Sequence, residues 1–220
     1  MELEGKKIVF LGDSITEGYC ATSKEYRFTD VLCRDAKLAE LYNHGIGGTR
    51  LSKQMNPSPD TVWDQDFISR VGELETGVDA VVVFGGTNDF GHGDLPFGKF
   101  GDTTEDTFCG CCHVLMNMLV EKYPTVPVVV ATPLHRTGEN DIVNKFGFRR
   151  VAPLCAYVDI IRKTAEKFSL PVLDLYASAG MNPNVEAQNK YYFVDGLHPN
   201  NVGHARLARI FQKFLENVVD

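Results

Sequence analysis

The sequence predicts an α/β fold, with a central, mostly parallel, five-stranded sheet carrying helices on both faces. Three observations predict it. Short, almost continuously apolar runs recur along the chain, helix-period segments lie between them, and polar, glycine-rich tips follow the runs. Such runs suit parallel strands covered on both faces. Strand and helix in alternation imply right-handed crossovers about one sheet, a three-layer α/β/α sandwich.

In chain order, "KIVFLG" (7–12) is the first strand, rich in β-branched and aromatic residues and closed by glycine. "LAELYNHGIGG" (38–48) holds a short second strand ahead of its glycine turn, and "DAVVVFGG" (79–86) a third. Residues 105–122 space Phe108, Cys112, Leu115, Met116 and Leu119 by three and four, one apolar face of a helix. "VPVVVATP" (126–133) is the fourth strand, 154–168 a helix and "LPVLDLY" (170–176) the fifth strand. The last helix spans 202–218, with Leu207, Ile210, Phe211, Phe214, Leu215 and Val218 on its apolar face. No repeat, low-complexity tract or linker divides the chain, so 1–220 reads as one domain.

Composition narrows the function classes. A formal charge of −7 argues against a nucleic-acid binder, which needs a basic face. No run approaches the length of a membrane span. "MELEGKK" leads straight into a strand without the apolar core of a signal peptide, and six irregularly spaced cysteines fit a reducing compartment. The expectation is a cytoplasmic protein; the oligomeric state is not legible.

Ligands in open α/β sheets bind beyond the carboxyl ends of the strands. Three tips should therefore converge: Gly12-Asp13-Ser14, Gly85-Gly86-Thr87-Asn88-Asp89 and Thr132-Pro133-Leu134-His135-Arg136. Ser14 reads either as the cap of the following helix or as a nucleophile presented by the strand. A serine nucleophile needs an imidazole to take its proton, and the imidazole needs an acceptor to fix its tautomer. Asp195 and His198, three apart in "VDGLHPN", supply such a pair, or else form a surface turn. Asn88 offers a side-chain amide to an oxyanion, or serves an Asn-Asp turn. The glycines of "NHGIGGTRL" (43–51) allow close backbone approach to a substrate, or simply turn the chain.

Taken together, these stretches resemble the SGNH, or GDSL-like, hydrolase family. "GDSIT", "GIGG", "GGTND" and "DGLHP" match its blocks in the family's order, from residue 12 to residue 199. The resemblance implies a flavodoxin-like sandwich and nucleophilic acyl transfer without metal or cofactor. Ser14 is the implied nucleophile, His198 its base and Asp195 the partner that orients His198. The implied oxyanion hole is the N–H of Ser14, the N–H of Gly48 and the amide of Asn88. Gly47 is the alternative to Gly48, which is preferred because Asn43, Gly45 and Gly48 fit N-x-G-x-x-G. No G-x-S-x-G elbow is present, which sets the chain apart from the usual α/β-hydrolase arrangement.

Other features are weaker. "GDLPFGK" (93–99) has the letters of a phosphate loop, but Phe100 replaces the Ser/Thr and no strand precedes it directly. "CGCC" (109–112) lies in a helical pattern without a second half-site, so core thiols are expected. The glycine-rich 90–104 segment is expected to be either a substrate-covering flap, with His92, Phe97 or Phe100 facing the pocket, or a closed, core-packed loop. His135 and Arg136 are candidate substrate contacts, Arg136 alternatively bridging to a surface acid. Asp13 is expected to make structural hydrogen bonds within its block, with a substrate contact as the lesser alternative, and Trp63 to pack. The expected substrate is a small-molecule ester, short-chain or an O-acetyl group on a carbohydrate. A lysophospholipid or acyl thioester is the alternative within the same chemistry, and a non-catalytic carbohydrate-binding or scaffold relative that retains the fold is the alternative of a different class.

Overall fold

All five apolar runs contribute strands to one sheet in the computed structural model, which describes residues 3–143, 147 and 149–219. The strands are β1 (Lys7–Gly12), β2 (Glu40–Gly45), β3 (Ala80–Phe84), β4 (Val128–Ala131) and β5 (Val172–Leu173). Their spatial order is 2-1-3-4-5 and every pairing is parallel, the flavodoxin-like order. Topology reverses between β1 and β3, so a crevice opens beyond their carboxyl ends. Met1 and Glu2, the first residues of the N-terminal reading, lie outside the described residues.

The helices are α1 (Ser14–Glu17), α2 (Phe28–Asp35), α3 (Phe67–Arg70), α4 (Thr87–His92), α5 (Phe108–Lys122), α6 (Leu154–Lys167), α7 (Leu175–Ser178), α8 (Glu186–Tyr192) and α9 (Asn201–Leu215). Alternating strand residues feed two cores. Val9, Leu11, Val81, Val83, Val128 and Val130 pack with Leu115, Leu119, Val158 and Ile161 of α5 and α6. Ile8, Phe10, Val82, Phe84 and Val129 pack with Phe28, Leu32, Leu207 and Phe211 of α2 and α9. Phe211 is the hub of the second core, with its ring centroid 5.1–5.7 Å from those of Phe28, Phe10 and Phe84.

Local chemistry sets the boundaries. Thr107 caps α5 by accepting from the Gly110 N–H, and Asn200 caps α9 by accepting from Val202 and Gly203. The fifth strand is shorter than its apolar run. Asp174 accepts from the Ala177 N–H and opens α7, so Leu175 and Tyr176 are helical. Of the described residues, no helix is long and apolar enough to cross a membrane.

The 90–104 segment divides. Residues 90–92 complete α4, and the remainder folds back on α5, with the N–H groups of Phe108 and Cys109 donating to the carbonyls of Pro96 and Phe97. Phe97 packs against Phe108 and, edge-on, against Tyr157 at 4.9 Å. Its ring is thus taken up by the core. Phe100 is 50% exposed. Cys109, Cys111 and Cys112 are buried on α5, and burial pushes the Cys109 and Cys111 thiols up to about 11 and about 12.

Candidate active site

β1 ends at Gly12, and Asp13 takes the cap position of α1, its Oδ1 accepting from the Ile15 N–H at 3.0 Å. Ser14 is therefore the first helical residue and not the cap, which separates the two roles that its position left open. As the first residue of a helix it has an N–H without an intrahelical acceptor. Burial pushes the Asp13 carboxyl up to about 6, partly offset by its bond to Ile15.

Ser14 and His198 meet across 184 positions of sequence, Oγ to Nε2 at 3.0 Å. His198 Nδ1 lies 2.7 Å from Asp195 Oδ2. An ionised carboxylate only accepts, so the ring proton sits on Nδ1 and Nε2 is left to accept from the serine hydroxyl. Burial raises the Asp195 pKa, but the hydrogen bonds and charge of His198 outweigh it and hold the carboxyl well below its usual range. Oδ1 of Asp195 also accepts from the N–H groups of Leu197 and His198, at 3.0 and 2.8 Å. The loop is closed by a Phe193–Pro199 bridge and tied to the β4–α6 connection, where the Thr137 N–H donates to the Gly196 carbonyl at 2.9 Å.

The amide of Asn88, on α4, donates to the Thr49 carbonyl at 2.9 Å. That bond turns the amide toward the residue after Gly48 and leaves its second N–H for another acceptor. Gly48 has φ +76°, and a Cβ there would fall 2.2 Å from Trp63. Only glycine fits. A Cβ on Gly47 would stand 2.9 Å from Glu17 Oε2 and 3.7 Å from Ser14 Cβ, so this glycine lies against the start of α1.

Buried and half-buried polar side chains lock these tips together. Asn43 donates to the Thr16 carbonyl and the Thr29 hydroxyl, at 2.7 and 2.9 Å. Asp89 accepts from the N–H groups of Leu51 and Ser52 and from the Ser52 hydroxyl, joining α4 to the chain after Gly48. Arg70 donates to the carbonyls of Gly12 and His44 and to the Thr49 hydroxyl. Arg50, fully buried, donates to His92 Nδ1 at 2.9 Å, to Ser58 and to Asp64. The sequence gives no sign of the staples made by Arg50 and Arg70, and it marks Asp89 only as part of a strand-end tip. A lone arginine after a glycine turn carries no signal of burial, because the partners of Arg50 lie at 58, 64 and 92, remote from it in sequence.

The remaining candidates are placed as follows. His92 is one helical turn beyond Asn88, its ring 4.8 Å from that of Trp63; burial and the Arg50 charge hold its pKa down at about 4. His135 bonds Glu139, and its ring lies tilted against that of Tyr176, centroids 3.8 Å apart. Arg136 donates to the Thr87 carbonyl and hydroxyl at the start of α4. Of its two alternatives, a substrate contact or a bridge to a surface acid, the second finds no ion pair among the described residues, because the half-buried guanidinium takes its acceptors on Thr87. No cluster of potential metal ligands occurs among the described residues.

The sheet order and the hydrogen-bonded Ser14, His198 and Asp195 at its carboxyl edge define an α/β protein with a hydrolase-like site. The chain belongs to the GDSL-like Lipase/Acylhydrolase family, whose model matches residues 10–206. A solved structure from Lactobacillus plantarum is similar at 31% identity and a TM-score of 0.80, covering 97% of this chain and 98% of that one. The carbohydrate acetylesterase Est24 from Sinorhizobium meliloti shares the fold at 14% identity and a TM-score of 0.69, covering 97% and 99%. The acetyl xylan esterase AlAXEase does so at 20% identity and a TM-score of 0.63, covering 94% and 98%. No curated protein matches the sequence.

Proposed function

We propose that this chain is a serine esterase that cleaves short-chain carboxylic esters, O-acetyl groups on carbohydrates first among them. Ser14 Oγ attacks the ester carbonyl while His198 Nε2 takes its proton. The oxyanion is met by the N–H groups of Ser14 and Gly48 and by the free amide N–H of Asn88. Asp195 steadies the imidazolium. His198 then returns the proton to the leaving alkoxide, which departs as the alcohol and leaves an acyl-serine. Water, deprotonated by the same imidazole, releases the acid and restores Ser14.

The observation that carries this reading is the unbroken run of contacts from Ser14 Oγ to His198 Nε2 and from His198 Nδ1 to Asp195. Trp63 against Gly48 supports a small acyl group, because an indole occupies the space beside the proposed oxyanion donors. The test combines organophosphonate labelling with hydrolysis of p-nitrophenyl esters from acetyl to palmitoyl. Labelling of wild type but not Ser14→Ala, with rates falling as the acyl chain lengthens, is the expected outcome. Equal labelling of both proteins would remove Ser14 as nucleophile. A preference for long chains would turn the reading toward lysophospholipids or acyl thioesters.

A further inference from the structure

The turn after α1 holds one exposed ring beside the proposed catalytic base. Tyr19 is 56% exposed, yet its ring stands edge-on to the His198 imidazole with centroids 4.6 Å apart. Its backbone, by contrast, is pinned at both ends. The Tyr19 N–H donates to the Ser14 carbonyl at 2.9 Å, and the Tyr19 carbonyl lies 3.3 Å from His204 Nε2. His204 is fully buried and stacked on Phe28, whose N–H donates to its Nδ1 at 3.3 Å. Because Nδ1 accepts, the proton of the neutral ring is on Nε2 and is donated to Tyr19.

The flanking backbone is unusual as well. Gly18 has φ +94° and Cys20 has φ +69°, the latter a conformation that side chain-bearing residues adopt at a cost. Two residues further on, Thr22 and Asn201 exchange hydrogen bonds that fasten the turn to the start of α9. A ring kept only for packing would not need this fixed presentation to solvent. The arrangement holds a half-exposed aromatic ring beside the imidazole, where a ligand can meet it.

Chemistry indicates which part of the ligand. His198 Nε2 must hand its proton to the leaving oxygen, so the leaving alcohol lies next to whatever borders the imidazole. Tyr19 is such a neighbour. We propose that Tyr19 is the platform for the leaving alcohol and selects alcohols that carry a ring with an apolar face over small aliphatic ones. The proposal rests on the esterase reading above. A sugar ring presents axial C–H groups to the tyrosine face, and an aryl ring stacks offset or edge-on; both bury apolar surface without needing a polar partner.

The test measures kcat/KM for three acetyl esters: an O-acetylated methyl xyloside, phenyl acetate and ethyl acetate. In Tyr19→Ala, the ratio of a ring-bearing ester to ethyl acetate is expected to fall about tenfold. Tyr19→Phe and Tyr19→Trp are expected to keep it, since the ring and not the hydroxyl is at work. A fall confined to the xyloside identifies a sugar alcohol, and one confined to phenyl acetate an aryl alcohol; either supports the platform. An unchanged ratio, including an equal loss on all three esters, would overturn it and leave Tyr19 as a support for His198. A wild type inert on all three and unlabelled at Ser14 would overturn the esterase reading and this proposal together. Should Tyr19→Ala fail to fold, the ratio in Tyr19→Leu decides in the same way.

Discussion

At the scale of single residues, the site depends on groups whose second hydrogen bond fixes their first. Asn88 has two amide hydrogens and gives one to Thr49, so the other has a defined direction. Asn88→Ala is expected to lower kcat by about 10²–10³ with a smaller change in KM, because the lost bond matters most when charge develops on the oxyanion. Steady-state kinetics on p-nitrophenyl acetate checks this. Asp195 does for His198 what Thr49 does for Asn88. Asp195→Asn is expected to cost on the order of 10³–10⁴ in kcat, since an amide that donates to Nδ1 would place the ring proton on Nε2, facing the serine. Ser14, Asn88, Asp195 and His198 were legible as candidates because their four short motifs together match one family's blocks, whereas each alone fitted a cap or a turn as well. Trp63 beside Gly48 and Tyr19 beside His198 were not, because an aromatic residue looks the same in a core and at a cleft.

Elements meet at the site through buried polar staples. Arg70, on α3, reaches the ends of β1 and β2 and the chain after Gly48 at once. Burial lowers its pKa to about 10, so it remains charged at neutral pH. Arg70→Met keeps much of the volume but removes charged hydrogen bonds to the His44 and Gly12 carbonyls and the Thr49 hydroxyl, while the Gly12 carbonyl keeps the Ile46 N–H and the Thr49 hydroxyl still donates to the Ile46 carbonyl. The expected loss is about 3 kcal/mol of unfolding free energy in urea, from hydrogen bonds of a charged group that nothing replaces. The strands and long helices were legible because apolar periodicity accumulates over their length. The eight-residue α2, with only Phe28, Thr29, Val31 and Leu32 buried, offers too few turns for a period to emerge, and it was not anticipated. The run at 170–176 misled for another reason: Asp174 caps a helix inside an otherwise strand-like stretch.

The whole molecule answers to pH through its buried histidines. His204 and His92 are each held at about 4 against an ordinary 6.5, chiefly by burial. Between those values the unfolded chain binds more protons than the folded one, so stability falls as pH drops through the window. Asp13, raised to about 6 from 3.8, binds its proton more readily in the folded state and acts in the opposite direction. His204→Gln can still accept from Phe28 and donate to Tyr19, but it cannot titrate. The variant is expected to lose about 2–3 kcal/mol less than wild type between pH 7 and pH 4.5, in urea unfolding followed at both values. An identical loss in the two proteins would mean that His204 does not carry the effect.

The sequence by itself determined the fold class, the neighbourhood of each strand (with the end of the fifth misplaced) and the family, because periodicity, turn chemistry and short motifs are local and survive in one dimension. What only the tertiary structure decided is which distant groups touch. The contact of Ser14 with His198, the clamp of Asp89 on Ser52, the burial of Arg50 and the placing of Tyr19 against the imidazole depend on the order 2-1-3-4-5 and on the crossovers that bring loops to one edge. Local propensity carries no information about those distances, since they are set by how two cores pack on opposite faces of a single sheet.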